Sequence, residues 1–195
     1  MSAVRGARTV VLVPGVLALL PEYAGIADPV AELRAACVAA LGSLAGAGSV
    51  VLVADAQGER VARSLLGAAG VAADVVPASN AADPASDPAA DPEGAAYVVV
   101  ANGSARRGEK APGHLDERAR GFDEALGRAL RQVDAEHLTR LDRELADQLL
   151  VGNPDGFVTL GRLLGGGQGA WRAEVDFAAD PFGVQYWVMR WTCES

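Results

Sequence analysis

Short apolar runs alternate along this chain with longer segments of helical periodicity. The runs at 9–13, 49–54, 72–77 and 96–101 are rich in valine and end at turn-forming or polar residues, a pattern typical of buried strands. Helices are predicted between them, from Asp28-Pro29 to about Leu44 and over 58–69. This alternation predicts an α/β fold with a parallel-containing sheet covered by helices on both faces.

The second half of the chain is predicted to be helical before it returns to strands. Apolar residues recur at helical spacing over 116–131, and two further helices are predicted, capped by Asp134 and by Asn153-Pro154. Two alternating strands then flank Asp180-Pro181, which predicts a C-terminal antiparallel hairpin. We therefore expect one α/β domain over 1–195, with a central mixed sheet flanked by helices.

One segment does not fit this pattern of core-forming residues. Within 77–95, Asp-Pro recurs every fourth residue, and no side chain there could fill a core. Proline at that spacing is incompatible with a helix interior and with a strand ladder. The segment is predicted to be a solvated, mobile loop, and its residues do not specifically indicate a lid.

Charge and composition narrow the classes of function. Seventeen Lys and Arg against twenty-five Asp and Glu give a net charge of −8, which argues against a nucleic-acid-binding protein. The apolar N-terminal run is interrupted by Pro14-Gly15, and no stretch reaches the ~18 apolar residues of a membrane helix. Cys37 and Cys193 form no CxxC pair, and they are expected to be reduced thiols. A cytoplasmic protein without a membrane partner is therefore expected.

The strand predicted at 96–101 is followed by the basic sequence NGSARRGEK. Ligands of open α/β sheets bind outside the carboxyl ends of strands, so this loop is the candidate ligand site. Gly103 would let backbone N–H groups approach an anion, and side chains could donate hydrogen bonds to it. The candidate ligand-binding residues are Asn102, Gly103, Ser104, Arg106, Arg107, Lys110 and His114. The alternative is that these cations pair with Glu109, Asp116, Glu117 and one another on a solvated surface.

Metal and nucleophile chemistry have little support in the residue pattern. The only histidines are His114 and His137, and their separation gives neither HxH nor HExxH spacing. Ser104 lacks the sequence of a nucleophile elbow, and the loop contains no Walker or GxGxxG motif. No metal and no cofactor are predicted, and the catalytic residues, if any, stay unassigned.

The segment NGSARRGEKAPGHLDERARGFDEALGRAL, over 102–130, resembles small actinobacterial proteins described as class III extradiol dioxygenase-like, or LigB-like. The strand and loop VVLVPGVLALLPEYAG, the helix LTRLDRELADQLLVGNP and the closing WRAEVDFAADPFGVQYWVMRW resemble that family more loosely. The resemblance implies a LigB-like α/β fold, and association of copies into a homo-oligomer. We also expect the aromatic-rich last strand to supply an interface.

The family's iron chemistry does not transfer to this sequence. In active members, the resemblance implies a ferrous ion held by two histidines and a glutamate, and a further histidine for proton transfer. The first ligand position falls at Pro14-Gly15-Val16, no histidine precedes His114, and the proton-transfer position falls at Ala105. The resemblance therefore implies a protein without ring-cleavage activity that retains a pocket for an anionic small molecule.

Two other hypotheses stay open at this point. One is an enzyme of the same fold acting on an anionic small molecule, with Arg106, Arg107 and Lys110 as binding groups and His114 as acid or base. The other is a retained aromatic ring-opening dioxygenase that uses unfamiliar metal ligands.

Overall fold

A computed structural model describes residues 8–25, 28–78, 96–166 and 169–194 of the chain. These residues form a mixed six-stranded sheet with helices on both faces, which confirms the predicted α/β class. The predicted loop at 77–95 lies outside the described residues except for Pro77 and Ala78. None of the helices in the described ranges is both long enough and apolar enough to span a membrane.

The elements lie close to their predicted positions. The strands are β1 Arg8–Val13, β2 Ser49–Val53, β3 Asp74–Pro77, β4 Ala96–Val100, β5 Ala170–Ala179 and β6 Tyr186–Glu194. The helices are α1 Ala31–Gly42, α2 Ala56–Ala68, α3 Glu117–Gln132, α4 Ala135–Thr139, α5 Arg143–Gln148 and α6 Pro154–Gly165.

Some helix ends differ from the predictions for identifiable reasons. The Asp28 carboxylate accepts a hydrogen bond from the Val30 amide at 3.1 Å and closes a turn, so α1 begins only at Ala31. Asp134 caps α4 as predicted, but Asp142 caps a separate helix α5, so three helices follow α3 instead of two. Asn153 makes no side-chain cap; its amide donates to the Val100 carbonyl at 2.7 Å.

The strand order is β3-β2-β4-β1-β6-β5, and the first four strands are parallel. β4 is thus inserted between β2 and β1, and its carboxyl end emerges at the middle of the sheet edge. β6 runs antiparallel to β1, with Leu12 opposite Met189, so β6 begins at this same edge. This topology brings the loop after β4 and the turn before β6 together. In open α/β sheets, ligand sites lie at the carboxyl ends of such strands.

Alternate residues of the strands fill two apolar clusters. Val10 and Leu12 pack on the face covered by α3–α6, while Val11 and Val13 pack on the face covered by α1 and α2. Because both faces are covered, the central strands are continuous apolar runs and not alternating ones.

The predicted hairpin is confirmed as β5 and β6, but its aromatic side chains are used internally. Tyr186, Trp187 and Trp191 are buried within the chain's own core. They therefore cannot supply the intermolecular interface expected from the sequence, although association itself stays a prediction.

Candidate functional site

The backbone after β4 continues the sheet, and its N–H and C=O groups form hydrogen bonds with neighbouring segments of the chain. Asn102 exchanges two backbone hydrogen bonds with Gly152, at 3.1 and 3.0 Å. On the other side, the Gly103 amide donates to the Gln185 carbonyl at 2.8 Å, and the Gln185 amide donates to the Ser104 carbonyl at 3.0 Å. Asn102 and Gly103 therefore hold three segments of the chain together through these backbone bonds.

Gly103 is required by the close approach of a helix. A Cβ atom at this position would lie 2.6 Å from Asp123 Oδ1 and 2.8 Å from Gln185 Cβ. Both distances are shorter than a carbon atom tolerates, so only glycine fits between α3 and β6. The predicted role of Gly103 as a backbone anion binder stays untested, while its packing role is evident.

Ser104 is fully buried and satisfied within the protein. Its hydroxyl donates to the Leu149 carbonyl at 2.7 Å and accepts a hydrogen bond from the Arg106 amide at 3.0 Å. Its own amide donates to Asp123 Oδ1 at 3.0 Å. This geometry anchors the start of the basic loop to the segment after α5.

The side chain of Arg107, a residue of this loop, lies between two carboxylates. Its Nη1 is 3.2 Å from Asp123 Oδ2 and its Nε is 2.9 Å from Asp180 Oδ2. The side chains of Arg107 and Asp123 are only 8% and 1% exposed, so this pair is shielded from water. Burial acts to lower the pKa of Arg107, but the hydrogen bonds to Asp180 and Asp123 raise it overall.

For Asp123, in contrast to Arg107, the surroundings disfavour the charged form. Burial raises the pKa of its carboxyl group to about 6, although hydrogen bonds from the Ser104 amide and the Arg107 guanidinium act to lower it. The loss of hydration is thus larger than the stabilisation from its partners. Among the described residues, Asp123 is the carboxylate that contacts both the loop backbone and the buried arginine.

Arg107 and Asp123 line a pocket between α3 and the C-terminal hairpin, with a volume of about 420 Å³. Two further arginines of α3, Arg128 and Arg131, line the same pocket and are exposed. Arg131 donates to the Gly127 carbonyl of its own helix at 2.9 Å. In the described part of the chain, neither Arg128 nor Arg131 forms an ion pair. The remaining lining groups include Glu124, Gln132, Gln185 and Trp187.

The other predicted cations lie outside this pocket. The Nε atom of Arg106 is buried and has no hydrogen-bond partner among the described residues. Lys110 and His114 are exposed, and His114 has left-handed backbone geometry with φ of 57°. Asp116 bonds instead to Arg118, and those hydrogen bonds lower the pKa of Asp116 to about 2. The seven predicted ligand residues thus do not converge, and only Arg107 of this set lines the pocket.

Sequence reasoning did not single out Asp123, Arg128 or Arg131. A signal was present for Asp123, because it occupies a position on the buried stripe of α3 between Ala119 and Leu126. A carboxylate on an apolar stripe requires a buried partner. No comparable signal marks the two arginines, since exposed arginines on a helix are common.

Two other cavities have a different charge. A cavity of about 440 Å³ beside α3 and α4 is lined by Asp134, Glu136 and Asp142 against His137 and Arg140. A cavity of about 240 Å³ at the carboxyl ends of β2 and β3 is lined by Glu59 and Asp155, and by no cation within the described ranges. An anion would therefore be disfavoured in both, in contrast to the pocket of Arg107.

The positions at which the sequence resemblance would place imidazoles are packed with apolar groups. Val16 and Ala105 both contact the apolar cluster on the α1 and α2 face. A Cβ atom at Gly15 would lie 2.9 Å from Val100 Cγ1 and 3.4 Å from Gly58 Cα, which leaves no space for a side chain. Among the described residues, no three His, Cys, Asp or Glu side chains are grouped so that they could hold a metal ion.

Comparison with known proteins finds no family model and no curated protein that matches this chain. The LigB-like resemblance therefore stays an expectation from the sequence.

Proposed function

We propose that this chain is a LigB-like protein without ring-cleavage activity that binds a small anion in the pocket of Arg107, Arg128 and Arg131. The observation that carries the proposal is the arrangement of the last two, which lie on one helix, line a 420 Å³ pocket and lack ion pairs in the described ranges. Two sequence predictions belong to this proposal: a cytoplasmic location, from the cysteines and the interrupted N-terminal apolar run, and the absence of a nucleic-acid partner, from the net charge.

The three arginines would have different roles. Arg107 is fixed by Asp123 and Asp180, so it contributes a rigid, partly compensated charge at the base of the pocket. Arg128 and Arg131 are exposed, and Arg131 would exchange its hydrogen bond to the Gly127 carbonyl for one to a ligand. A guanidinium can form paired hydrogen bonds with phosphate or carboxylate oxygens. The ligand class is therefore a small phosphate or carboxylate.

Titration with inorganic phosphate tests this proposal. We expect phosphate to raise the melting temperature of the wild type, and Arg128→Gln/Arg131→Gln to weaken phosphate affinity at least about tenfold, because each removes a charge-assisted hydrogen bond. Arg107 is unsuitable for substitution, since its loss would leave Asp123 buried without its partner.

Arg140→Gln is the matched control, because this exposed arginine lies on the edge of a different cavity. Its phosphate affinity should equal that of the wild type. Equal affinity in the double variant, or an equal loss in the control, would show that phosphate interacts with surface charge in general. Repeating the titration with succinate separates a phosphate preference from a carboxylate preference.

The absence of ring cleavage is supported by Gly15 and Ala105, neither of which can supply an imidazole. We expect protein incubated with ferrous ion and catechol to consume no more oxygen than ferrous ion alone, and elemental mass spectrometry to find no stoichiometric iron. One iron per chain together with a ring-opened product would overturn this part of the proposal.

An enzyme of the same fold is the second candidate, and Asp123 favours it. A carboxyl group with a pKa near 6 in a pocket can exchange protons close to neutral pH. His114, the acid or base expected from the sequence, is exposed and does not line this pocket. Hydrolysis of p-nitrophenyl phosphate by the wild type that is lost in Asp123→Asn would support this candidate; equal rates would exclude Asp123 from that reaction.

A further inference from the structure

Within the described residues, the last strand of the sheet, β5, has one edge to which no strand is paired. Its only strand partner is β6, and in the described part of the chain no backbone group of residues 170–175 bonds outside the hairpin. An edge strand of this kind presents N–H and C=O groups to which another strand can pair. β5 has ten residues, twice the length of β2 or β4.

The side chains along this edge alternate in character. Arg172 and Glu174 lie on one face, and their side chains are 79% and 41% exposed. Trp171 and Val175 lie on the other; Val175 is 44% exposed, and the indole Nε1 of Trp171 has no hydrogen-bond partner among the described residues. Arg172 reaches Glu174 Oε1 of its own strand only at 3.6 Å, while Glu174 Oε2 pairs with Arg190 of β6 at 2.8 Å. Arg172 and the Oε1 atom of Glu174 are therefore the groups that a second copy could engage.

We propose that two copies of this chain associate through antiparallel pairing of β5 with β5, in a register centred on Ala173. This register places Arg172 opposite the partner's Glu174, and the two-fold symmetry repeats the pair in reverse. It also places Trp171 opposite the partner's Val175, so that an exposed valine is covered by an aromatic ring. Opposed charges and aromatic–β-branched pairs are the combinations that stabilise neighbouring strands.

The neighbouring symmetric registers are disfavoured by charge. Centring on residue 172 would oppose Arg172 to itself, and centring on residue 174 would oppose Glu174 to itself. Centring on residue 175 would place Glu174 opposite the partner's Asp176. Like charges in directly opposed positions destabilise a strand pair, so charge favours the register centred on Ala173 over these three.

A bulge limits the length of the pairing. The register between β5 and β6 shifts between Val175 and Phe177, and Asp176 turns to bind Arg190 at 2.8 Å. The straight part of the edge is therefore 170–175. The proposal does not depend on the anion pocket.

Charge reversal with mixing tests the pairing and its register together. Arg172→Glu makes both cross-strand charge pairs negative, and Glu174→Arg makes both positive, so each variant alone should dimerise at least about tenfold more weakly than the wild type. An equimolar mixture restores both pairs, because in a mixed dimer the side chain at 172 of either copy faces one of opposite charge at 174 of the other. We expect sedimentation velocity to show wild-type dimerisation, loss in each variant and recovery in the mixture.

Arg140→Glu is the control, because it has the same charge change on an arginine of similar exposure that lies at the end of α4. It should dimerise like the wild type, and circular dichroism should show that all variants fold. A wild-type monomer at about 100 µM, a level at which a dimer held by ~5.5 kcal/mol would be half formed, would overturn the proposal. So would a dimer that is indifferent to both reversals, or a mixture that fails to recover.

Discussion

Asp123 is the residue that connects the basic loop to the rest of the molecule. Its two oxygens accept hydrogen bonds from the Ser104 amide and from Arg107, and Gly103 leaves the space for this approach. Its hydrogen-bond partners thus belong to the loop, while Asp123 itself is positioned by α3. These hydrogen bonds stabilise the ionised carboxylate, but the loss of hydration on burial is larger and raises its pKa.

The pH dependence of stability follows from that pKa. The folded value of about 6 lies above the ~3.9 of an unfolded aspartate, so between these values the folded state binds more protons than the unfolded state. The contribution of Asp123 to the free energy of unfolding is therefore largest below pH ~4 and is lost as the pH rises toward 6. Asp123→Asn should lack this dependence.

Urea unfolding of the wild type and Asp123→Asn at about pH 5 and about pH 7.5 measures the difference. The stability advantage of the wild type should be smaller at the higher pH, by roughly 1–2 kcal/mol. Asp134→Asn, which alters an exposed helix cap, corrects for the general effect of pH on an acidic protein. An advantage that grows with pH would contradict the assigned direction of the shift.

The partners of the basic loop show where sequence reasoning stops at this scale. The sequence placed cations after β4 and offered nearby Glu109, Asp116 and Glu117 as their partners. Arg107 instead pairs with Asp123 and Asp180, the second of which is 73 positions away. Those contacts depend on the tertiary packing of β4, α3 and the hairpin, which the local spacing of residues in the sequence does not determine.

At the scale of elements, the start of α2 is pressed against the centre of the sheet. A Cβ atom at Gly58 would lie 2.8 Å from Val100 Cγ1, and one at Gly15 would lie 2.9 Å from the same atom. Asp55 caps the helix by accepting from the Gly58 amide at 2.6 Å. Two glycines therefore allow the turn after β1 and the first turn of α2 to meet over the end of β4.

A pair of substitutions in one helix tests this packing. Gly58→Ala should destabilise the protein by about 1–3 kcal/mol, because the added methyl group overlaps Val100 and the gain in helix propensity is smaller. Gly67→Ala, in the same helix with no atom within 4 Å of the added carbon, should stabilise it by roughly 0.5–1 kcal/mol.

Thermal or urea unfolding of both variants gives the answer. If Gly58→Ala were as stabilising as Gly67→Ala, the close approach of α2 to β4 would be wrong. Gly58→Ala should cost less in a Val100→Ala background than in the wild type, because the Val100 Cγ1 atom that the new side chain meets is then absent.

Elements themselves were the most predictable part of this protein. The apolar valine runs located β1, β2, β3 and β4, because strands covered on both faces need continuous apolar residues. The boundary between α4 and α5 was missed, since the helical pattern continues across it and only the cap at Asp142 marks the break.

The whole molecule combines a net charge of −8 with a locally basic pocket between α3 and the C-terminal hairpin. The strand order that places β4 beside β1 also brings β6 to this edge, so α3 and the hairpin enclose the pocket from two sides. Composition alone could not predict such a pocket, because it depends on which few charges the fold groups together. Small anions would respond to this local grouping more than to the distant surface charge, which salt screens.

The most direct test of anion binding is a phosphate titration followed by NMR of the arginine Nε–H groups at constant ionic strength. We predict that the resonances of Arg107, Arg128 and Arg131 shift with one common saturation curve, while that of Arg140 stays in place. Unchanged resonances of Arg128 and Arg131, or equal gradual shifts of every exposed arginine, would contradict the proposed binding site.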